Sequence, residues 1–402
     1  MANKFDYIVI GAGPGGTEAA LTIIHQGQSV ALIEADKWGG TCLFQGCIPT
    51  KALLHASKDP LVGDLQGLFA KIFGQINAIS TNLRANLTRW GVTLIQGVAT
   101  FVDANRISVN REIYEAKHLI FAGGSSPISL NIPGIDFSNI YNSETIYSLT
   151  EVPSRLAIIG GGYIGFEWAN IFSNFGSQVT IYEALPQVLS AFDDDIRRRL
   201  LTSWRTRSVR IETSSRVKAF HQDGPAVIVE TDQMETYDAV LIAIGRRPSD
   251  AVVPPGVVKI GDANGAPLLA HKASAEGKAI FTGDFSQVII PAAMFTDPEI
   301  ATVGASEQSL KQQARSYKTC KLPYRANSKA YVTGVEEGFI KLMTDEDGHY
   351  LLGAAIIGYE ASDIINVLTL AIQEKIPIAK LKRLVFPHPT IGEVIAQALD
   401  LI

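Results

Sequence analysis

Two of the chain's three cysteines, Cys42 and Cys47, stand five residues apart in Gly39-Gly40-Thr41-Cys42-Leu43-Phe44-Gln45-Gly46-Cys47-Ile48-Pro49-Thr50-Lys51. A thiol pair this close can do reversible disulfide chemistry, in which a thiolate attacks a disulfide sulfur and two electrons change hands. On a regular helix, Cα atoms at i and i+5 lie roughly 8–9 Å apart, whereas a disulfide wants about 4.4–6.8 Å. A bond between them therefore requires an irregular start to the helix. Gly46 supplies the freedom, and Pro49 suits a first helical turn beginning after it. Two ordinary buried thiols, or half a metal site, fit the same spacing, although no second cysteine pair or histidine cluster accompanies them. Thiol exchange near neutral pH also needs a base, because a free thiol of pKa about 8.5 is mostly protonated. Of seven histidines, His388 in Phe386-Pro387-His388-Pro389-Thr390 has its backbone fixed by prolines on both sides. Glu393 is near enough in sequence to orient its ring and stabilise the protonated form.

A second kind of chemistry is written in glycine. The apolar run Tyr7-Ile8-Val9-Ile10 stops at Gly11-Ala12-Gly13-Pro14-Gly15-Gly16 and an Ala- and Leu-rich helical stretch follows; Val30-Ala31-Leu32-Ile33 then ends in Glu34, 23 residues after Gly11. The pattern recurs with Leu156-Ala157-Ile158-Ile159, Gly160-Gly161-Gly162-Tyr163-Ile164-Gly165, a helical stretch, and Val179-Thr180-Ile181-Tyr182 ending in Glu183, again 23 residues on. The first glycine of such a turn permits the tight bend, the second lets the backbone approach a pyrophosphate, and the third lets the helix pack closely on the strand. The helix N-terminus then holds phosphate, and the acid takes a ribose hydroxyl. One such turn is weak evidence in a chain with 35 glycines, but two agreeing in register point to two dinucleotide-binding units.

These residues need a sizeable scaffold, and 402 residues at roughly 150 per domain supply two or three. Lys and Arg number 35 against 40 Asp and Glu, so no basic footprint argues for nucleic acid or an anionic membrane. No apolar run approaches the roughly 18 residues of a membrane span, and no leader is visible before the first strand. Three cysteines, an odd number, do not suit a secreted disulfide framework, so a reducing cytoplasm is expected. After the second unit, residues 224–248 read as hairpin strands returning to a core, followed by a Pro-rich break near residue 247. From about Pro291, apolar segments alternate with helical ones, which predicts a mixed α+β domain.

Taken together, the double fingerprint, the cysteine motif, Gly160–Glu167, Ile244-Gly245-Arg246-Arg247-Pro248, the stretch from Ile260 to Gly277, Phe295–Gly304 and the terminal His388–Glu393 resemble the class I flavoprotein disulfide reductases, also called pyridine nucleotide-disulfide oxidoreductases. The dihydrolipoamide dehydrogenases are the most similar branch, and the resemblance runs from residue 5 to residue 402. It implies an α/β fold with two Rossmann-like domains, for FAD (residues 1–147 and 247–290) and NAD (148–246), and a C-terminal α+β dimerisation domain (291–402). It further implies a homodimer that oxidises dihydrolipoamide, or a lipoyl-bearing protein, with NAD. By the same resemblance, Cys42 matches the interchange thiol and Cys47 the thiol against the flavin. Lys51 and Glu167 match the pair near the flavin N5, Thr41 is among the FAD-binding residues, and Asp262 matches the acid that holds the ribityl chain. Gly11, Gly13, Gly16 and Glu34 would hold FAD; Gly160, Gly162, Tyr163, Gly165 and Glu183 would hold NAD, with Tyr163 as an aromatic gate. His388, with Glu393, would reach across the dimer to the partner's disulfide. No metal site is implied. Read without the family, Lys51 and Glu167 are a surface ion pair, Tyr163 a core aromatic, Asp262 part of a turn, and Cys320 a structural thiol.

Some features depart from the family. Gly245 and Gly261 are only 16 residues apart where the family has a longer segment, which exposes FAD retention most. Phe44, Ala122-Gly123-Gly124-Ser125 and Gly392 replace the usual Asn, ATGS and Ser, and they bear on substrate more than on reaction class. Alternatives are thus an NADH-dependent reductase of another small disulfide or of a metal ion, and a flavin-free scaffold. Glu183 favours NAD over NADP by pairing a 2′-hydroxyl and repelling a 2′-phosphate. Arg197-Arg198-Arg199, preceded by Asp193–Asp195, is expected to form a solvated helix face.

Overall fold

Short strands rich in Val, Ile and Leu on both faces demand cover on both sides, and parallel pairing between helices provides it. A computed structural model describes residues 3–59, 64–283, 285 and 288–402. They divide into two compact units, residues 1–160 with 217–286 and residues 161–216 with 287–402.

In the first unit, Asn3–Ile10 runs parallel to Val30–Glu34 on one side and Glu112–Phe121 on the other. Thr93–Gln96 extends this sheet in parallel beyond Val30–Glu34, and Arg106–Val109 with Thr100–Phe101 closes the far edge in antiparallel fashion. Alternate residues serve opposite faces. Val9, Leu32 and Ile120 pack with Ala19, Ala20 and Ile23 of helix Pro14–His25, while Ile8, Ala31 and Leu119 pack with Ile107 and Val109. Helix Ala270–Lys278 lies so close to Pro14–His25 that only glycine fits at 277, where a Cβ would meet the Gly15 carbonyl. Three further strands, Ile140–Asn142, Arg155–Ile159 and Ala239–Ile242, pair in parallel, and Ala219–Asp223, Ala226–Glu230 and Met234–Tyr237 form the antiparallel sheet expected of the hairpin pattern.

The chain passes into the second unit between Gly160 and Gly161, inside the second glycine turn. Helix Tyr163–Asn174 follows, then strand Gln178–Tyr182, parallel to Val209–Glu212. The C-terminal part is an antiparallel sheet in the order Ala292–Met294, Ile300–Gly304, Leu351–Ile357, Phe339–Thr344, Lys318–Pro323. Its core joins Ile340, Leu342, Ala354 and Ile356 to Ile365 and Leu368 of helix Ala361–Gln373 and to Val394 and Ala398 of helix Glu393–Asp400. This is the α+β texture expected of the segment.

The arginine run departs from expectation. Arg197 is 9% exposed and reaches Gln187 and Asp194, so it is buried rather than solvated; Arg198 alone of the three is exposed. Of the acids before it, Asp193 and Asp195 turn inward as well, while Asp194 stays exposed. Asp193 accepts the backbone N–H groups of Glu307 and Gln308, both at 3.1 Å, at the start of helix Glu307–Gln312. The ammonium of Lys341, on strand Phe339–Thr344, is 2.8 Å from Asp193, 2.7 Å from Asp195 and 3.4 Å from Glu307. Three carboxylate groups lie near enough to hold a cation, and Lys341 is that cation. Burial opposes its charge, but the hydrogen bonds to Asp193 and Asp195 outweigh it and raise the lysine pKa. Replacing Lys341 with Met leaves buried acids uncompensated, and urea denaturation is expected to show a loss of about 3–5 kcal/mol. A raised lysine pKa gives stability that is complete below the unfolded value and disappears as pH rises through the folded one. The deficit of the variant should thus hold from neutral pH to about 10 and shrink above it.

Candidate active site

The two glycine turns are built alike. Gly11 and Gly160 have φ of +104° and +115°, and a Cβ on either would run into a carbonyl oxygen, of Ala122 and of Ala243 respectively. Gly13 and Gly162 are the N-caps of helices Pro14–His25 and Tyr163–Asn174, and no atom lies within 4 Å of where a Cβ would project. That open space adjoins first-turn N–H groups that have no partner within the helix, which is where a phosphate binds. Gly16 and Gly165 are buried, and a Cβ on Gly16 would meet the Gly11 carbonyl.

The acids match as closely. Glu34 accepts the Ala12 and Asp36 N–H groups at 2.8 and 2.9 Å, and Glu183 those of Gly161 and Leu185 at 2.9 and 2.8 Å. Both are half-buried, so neither is a merely solvated strand end. Each oxygen keeps lone-pair capacity for a ribose hydroxyl. The open second glycine, the N–H donors and the anchored acid fit a dinucleotide at both turns.

The cysteines sit against the first turn. Gly39 N–H donates to the Ala12 carbonyl at 3.0 Å, and a Cβ on Gly40 would stand 2.9 Å from Gly13 Cα. Cys42 lies on the short helix Gly40–Phe44 and Cys47 opens helix Cys47–Ala56, with Gln45 and Gly46 breaking the helical path between them. The irregularity that pairing requires thus lies between the cysteines. Pro49 corrects the expected boundary: it is the third residue of the helix, not the residue before it, and its missing N–H costs nothing in a first turn. The two thiols are hydrogen-bonded to one another. That bond first, and burial second, raise the Cys42 pKa far above the ordinary thiol range, with Lys51 pulling the other way. Thiol–disulfide exchange at such a pair still calls for a base.

His388 has the features of one. Its side chain is 70% exposed and its Nδ1 lies 2.9 Å from Glu393, whose other oxygen accepts the Thr390 N–H at 2.8 Å. That N–H first, and His388 second, lower the Glu393 pKa. An ionised carboxylate can only accept, so Nδ1 donates and Nε2 remains to take a proton.

The remaining residues fall on both units. Glu167 is buried on helix Tyr163–Asn174 and accepts the Phe295 N–H at 3.0 Å, which removes the surface ion-pair reading. Tyr163 on the same helix is half-buried, its ring 4.9 Å from that of Phe192 and its pKa pushed up to about 12 by burial. In the first unit, Thr41 and Lys51 are half-buried on the two cysteine helices, and Asp262 sits on the turn Gly261–Asn264 with Ser125 donating to it at 2.6 Å. Cys320 is buried and donates to the Ala398 carbonyl, as a structural thiol would.

The shortened link after Gly245 still brings Asp262 to the end of the first sheet. Arg246–Pro248 pairs with Ser125–Pro127, Val258–Lys259 joins Glu112–Phe121, and Ile260 N–H reaches the Phe121 carbonyl at 3.0 Å. Sequence reasoning gave no role to the pair that grips this turn. Lys272 and Glu276, buried and 3.0 Å apart, bind the Gly261 carbonyl and N–H at 3.1 and 2.5 Å. Their i, i+4 spacing was the available signal.

Residues 5–286 match the pyridine nucleotide-disulphide oxidoreductase family, and residues 290–399 match its dimerisation domain. The chain is 34% identical to the dihydrolipoyl dehydrogenase of Chlamydia pneumoniae over 449 aligned positions, which cover 99% of this chain and 96% of that one. It is likewise 34% identical to the dihydrolipoyl dehydrogenase of Geobacillus stearothermophilus, with coverage of 100% and 96%. Among solved structures, the HOCl-induced flavoprotein disulfide reductase RclA from Escherichia coli superposes with a TM-score of 0.91 at 26% identity, covering 99% of this chain and 100% of that one. The chain therefore belongs to the pyridine nucleotide-disulphide oxidoreductases, as a dihydrolipoamide dehydrogenase-like flavoprotein with two Rossmann-like domains and a dimerisation domain, working with FAD and NAD.

Proposed function

We propose that this flavoprotein disulfide oxidoreductase oxidises a dihydrolipoyl group with NAD through Cys42 and Cys47. The observation that carries the reading is the thiol pair set on two helices against the first glycine turn, with a carboxylate-oriented histidine elsewhere in the chain to serve as base. We assign FAD to residues 1–147 and 247–290, NAD to 148–246 and the dimer interface to 291–402. The working form is a cytoplasmic homodimer in which His388 serves the partner's cysteines.

In the proposed cycle, His388 Nε2 takes a proton from one lipoyl thiol while Glu393 holds Nδ1–H. The resulting thiolate attacks Cys42 of the Cys42–Cys47 disulfide, forming a mixed disulfide and releasing Cys47 as thiolate. The second lipoyl thiol then passes its proton to Cys42 as its sulfur attacks the lipoyl sulfur of that bond, closing the oxidised ring and releasing Cys42 as a thiol, with both electrons left on the cysteine pair. FAD, when bound, would supply the two-electron route from the cysteine pair to NAD. Lys51 would supply positive charge beside the cysteine pair, Glu167 would serve near the flavin N5, and Asp262, Glu34 and the first glycine turn would hold the flavin nucleotide. Tyr163 covers the nicotinamide pocket and Glu183 takes the adenosine ribose.

A second reading, NADH-dependent reduction of a different disulfide or of a metal ion, draws support from the likeness to RclA, a relative also described as a Cu(II) complex. Activity with dihydrolipoamide and NAD, set against lipoamide, glutathione disulfide, CoA disulfide and Cu(II) with NADH, separates the two. Lipoyl substrates are expected to lead, because nothing in the sequence resembles the basic residues that grip glutathione carboxylates. A clear preference for glutathione disulfide or Cu(II) would overturn the substrate assignment.

NADH is expected to reduce the flavin far better than NADPH, and Glu183→Arg to narrow or reverse that preference by exchanging repulsion of a 2′-phosphate for attraction. Stopped-flow flavin reduction reads both coenzymes. Equal rates in the wild type would remove Glu183 from ribose recognition.

The shared site is tested with two variants. Cys42→Ser should bind FAD yet fail with lipoamide, and His388→Ala should accept electrons from NADH yet turn over dihydrolipoamide slowly. A mixed dimer of the two carries one intact pairing and one doubly defective site, so it should recover up to half of wild-type activity. If a doubly tagged, FAD-loaded mixed dimer stays as inactive as its parents, His388 does not act across the interface.

A further inference from the structure

Asp262 is held by a relay of side chains to which no role has yet been given. Arg246 is 12% exposed and lies between Glu144 and Ser125: one guanidinium N–H reaches Glu144 at 2.8 Å, another the Ser125 carbonyl at 2.6 Å, and Nε–H the Ser125 hydroxyl at 2.9 Å. An arginine Nε–H can only donate, so the Ser125 oxygen accepts from it, and its single proton goes to Asp262 Oδ2 at 2.6 Å. The direction of the relay is therefore fixed along Glu144, Arg246, Ser125 and Asp262. Lys272 and Glu276 meanwhile anchor the backbone of the turn, so the Asp262 carboxylate is fixed from two independent directions. Its Oδ1 has no protein partner among the described residues.

We infer that Ser125 and Arg246 are positioning residues for the flavin site: they lock the Asp262 carboxylate so that Oδ1 is presented to the hydroxyls of the FAD ribityl chain. The inference rests on the reading of Asp262 as the ribityl acid. Arg246 also stands on the strand Arg246–Pro248 that opens the shortened link, so the relay sets Asp262 where a longer segment is missing.

The test is FAD affinity of the apoprotein, read by flavin fluorescence on titration, with thermal unfolding of each apoprotein as the control for folding. Asp262→Ala is expected to weaken FAD by about tenfold or more, and Ser125→Ala and Arg246→Met by a comparable or smaller factor. Ser125→Thr, which keeps the hydroxyl, should restore affinity to within about twofold of the wild type. In the Asp262→Ala background, neither Ser125→Ala nor Arg246→Met should weaken FAD further, because a residue acting through Asp262 has nothing left to position. If Asp262→Ala weakens FAD but the second substitutions multiply its effect, or have no effect alone, the positioning role fails and the Asp262 reading stands. Unchanged affinity in Asp262→Ala itself overturns both.

Discussion

A carboxylate bound to the backbone of the turn it faces is the interaction on which the site depends. Glu34 ties the end of the second strand to Ala12, and Ala12 in turn accepts the N–H of Gly39, where the cysteine segment begins. The turn can approach these partners only because Gly11 takes a left-handed φ against the Ala122 carbonyl. Ala122 follows the strand Glu112–Phe121, and Ser125, three residues on, holds Asp262. One left-handed glycine and one half-buried acid thus set the first glycine turn, the two cysteine helices and Asp262 in a common frame. The second copy repeats the tie through Glu183 and Gly161.

The two functional copies differ in what surrounds that tie. In the first, every group assigned to the flavin nucleotide comes from segments close to the sheet Asn3–Phe121 and its return strand. In the second, the helix after the glycine turn is stitched to the C-terminal segment: Glu167 and Asn170 accept the N–H groups of Phe295 and Asp297 at 3.0 and 3.2 Å, and the Lys341 cluster adds an ionic anchor. The helix after the second glycine turn therefore takes its position from a segment far downstream in sequence.

This difference decides what could be read without coordinates. The glycine turns, Glu34, Glu183, the cysteine pair and the His388–Glu393 pair were legible because each is local: a spacing of a few residues, or one strand–turn–helix unit, contains the chemistry. The burial of Asp193 and Arg197 was not, since the partner that turns Asp193 inward lies 148 residues away, on strand Phe339–Thr344. Ser125 and Arg246 meet across 121 residues, so Arg246 showed only as a letter in a motif. Pro49 signals a helix start without fixing its residue: a first turn beginning after Pro49 and one that contains it both suit a proline, and the helix begins at Cys47.

The break at Gln45–Gly46 also bears on how long a substrate stays attached. Four residues separate the two sulfurs, and each sulfur is carried by its own helix, so once Cys42 is joined to a substrate the thiol of Cys47 remains tethered at very high local concentration. Intramolecular attack under such tethering outruns any thiol arriving from solution by many powers of ten. Every encounter with a disulfide thereby becomes a short-lived adduct that resolves inward. The same geometry would shorten the life of any conjugate that a small thiol forms with Cys42.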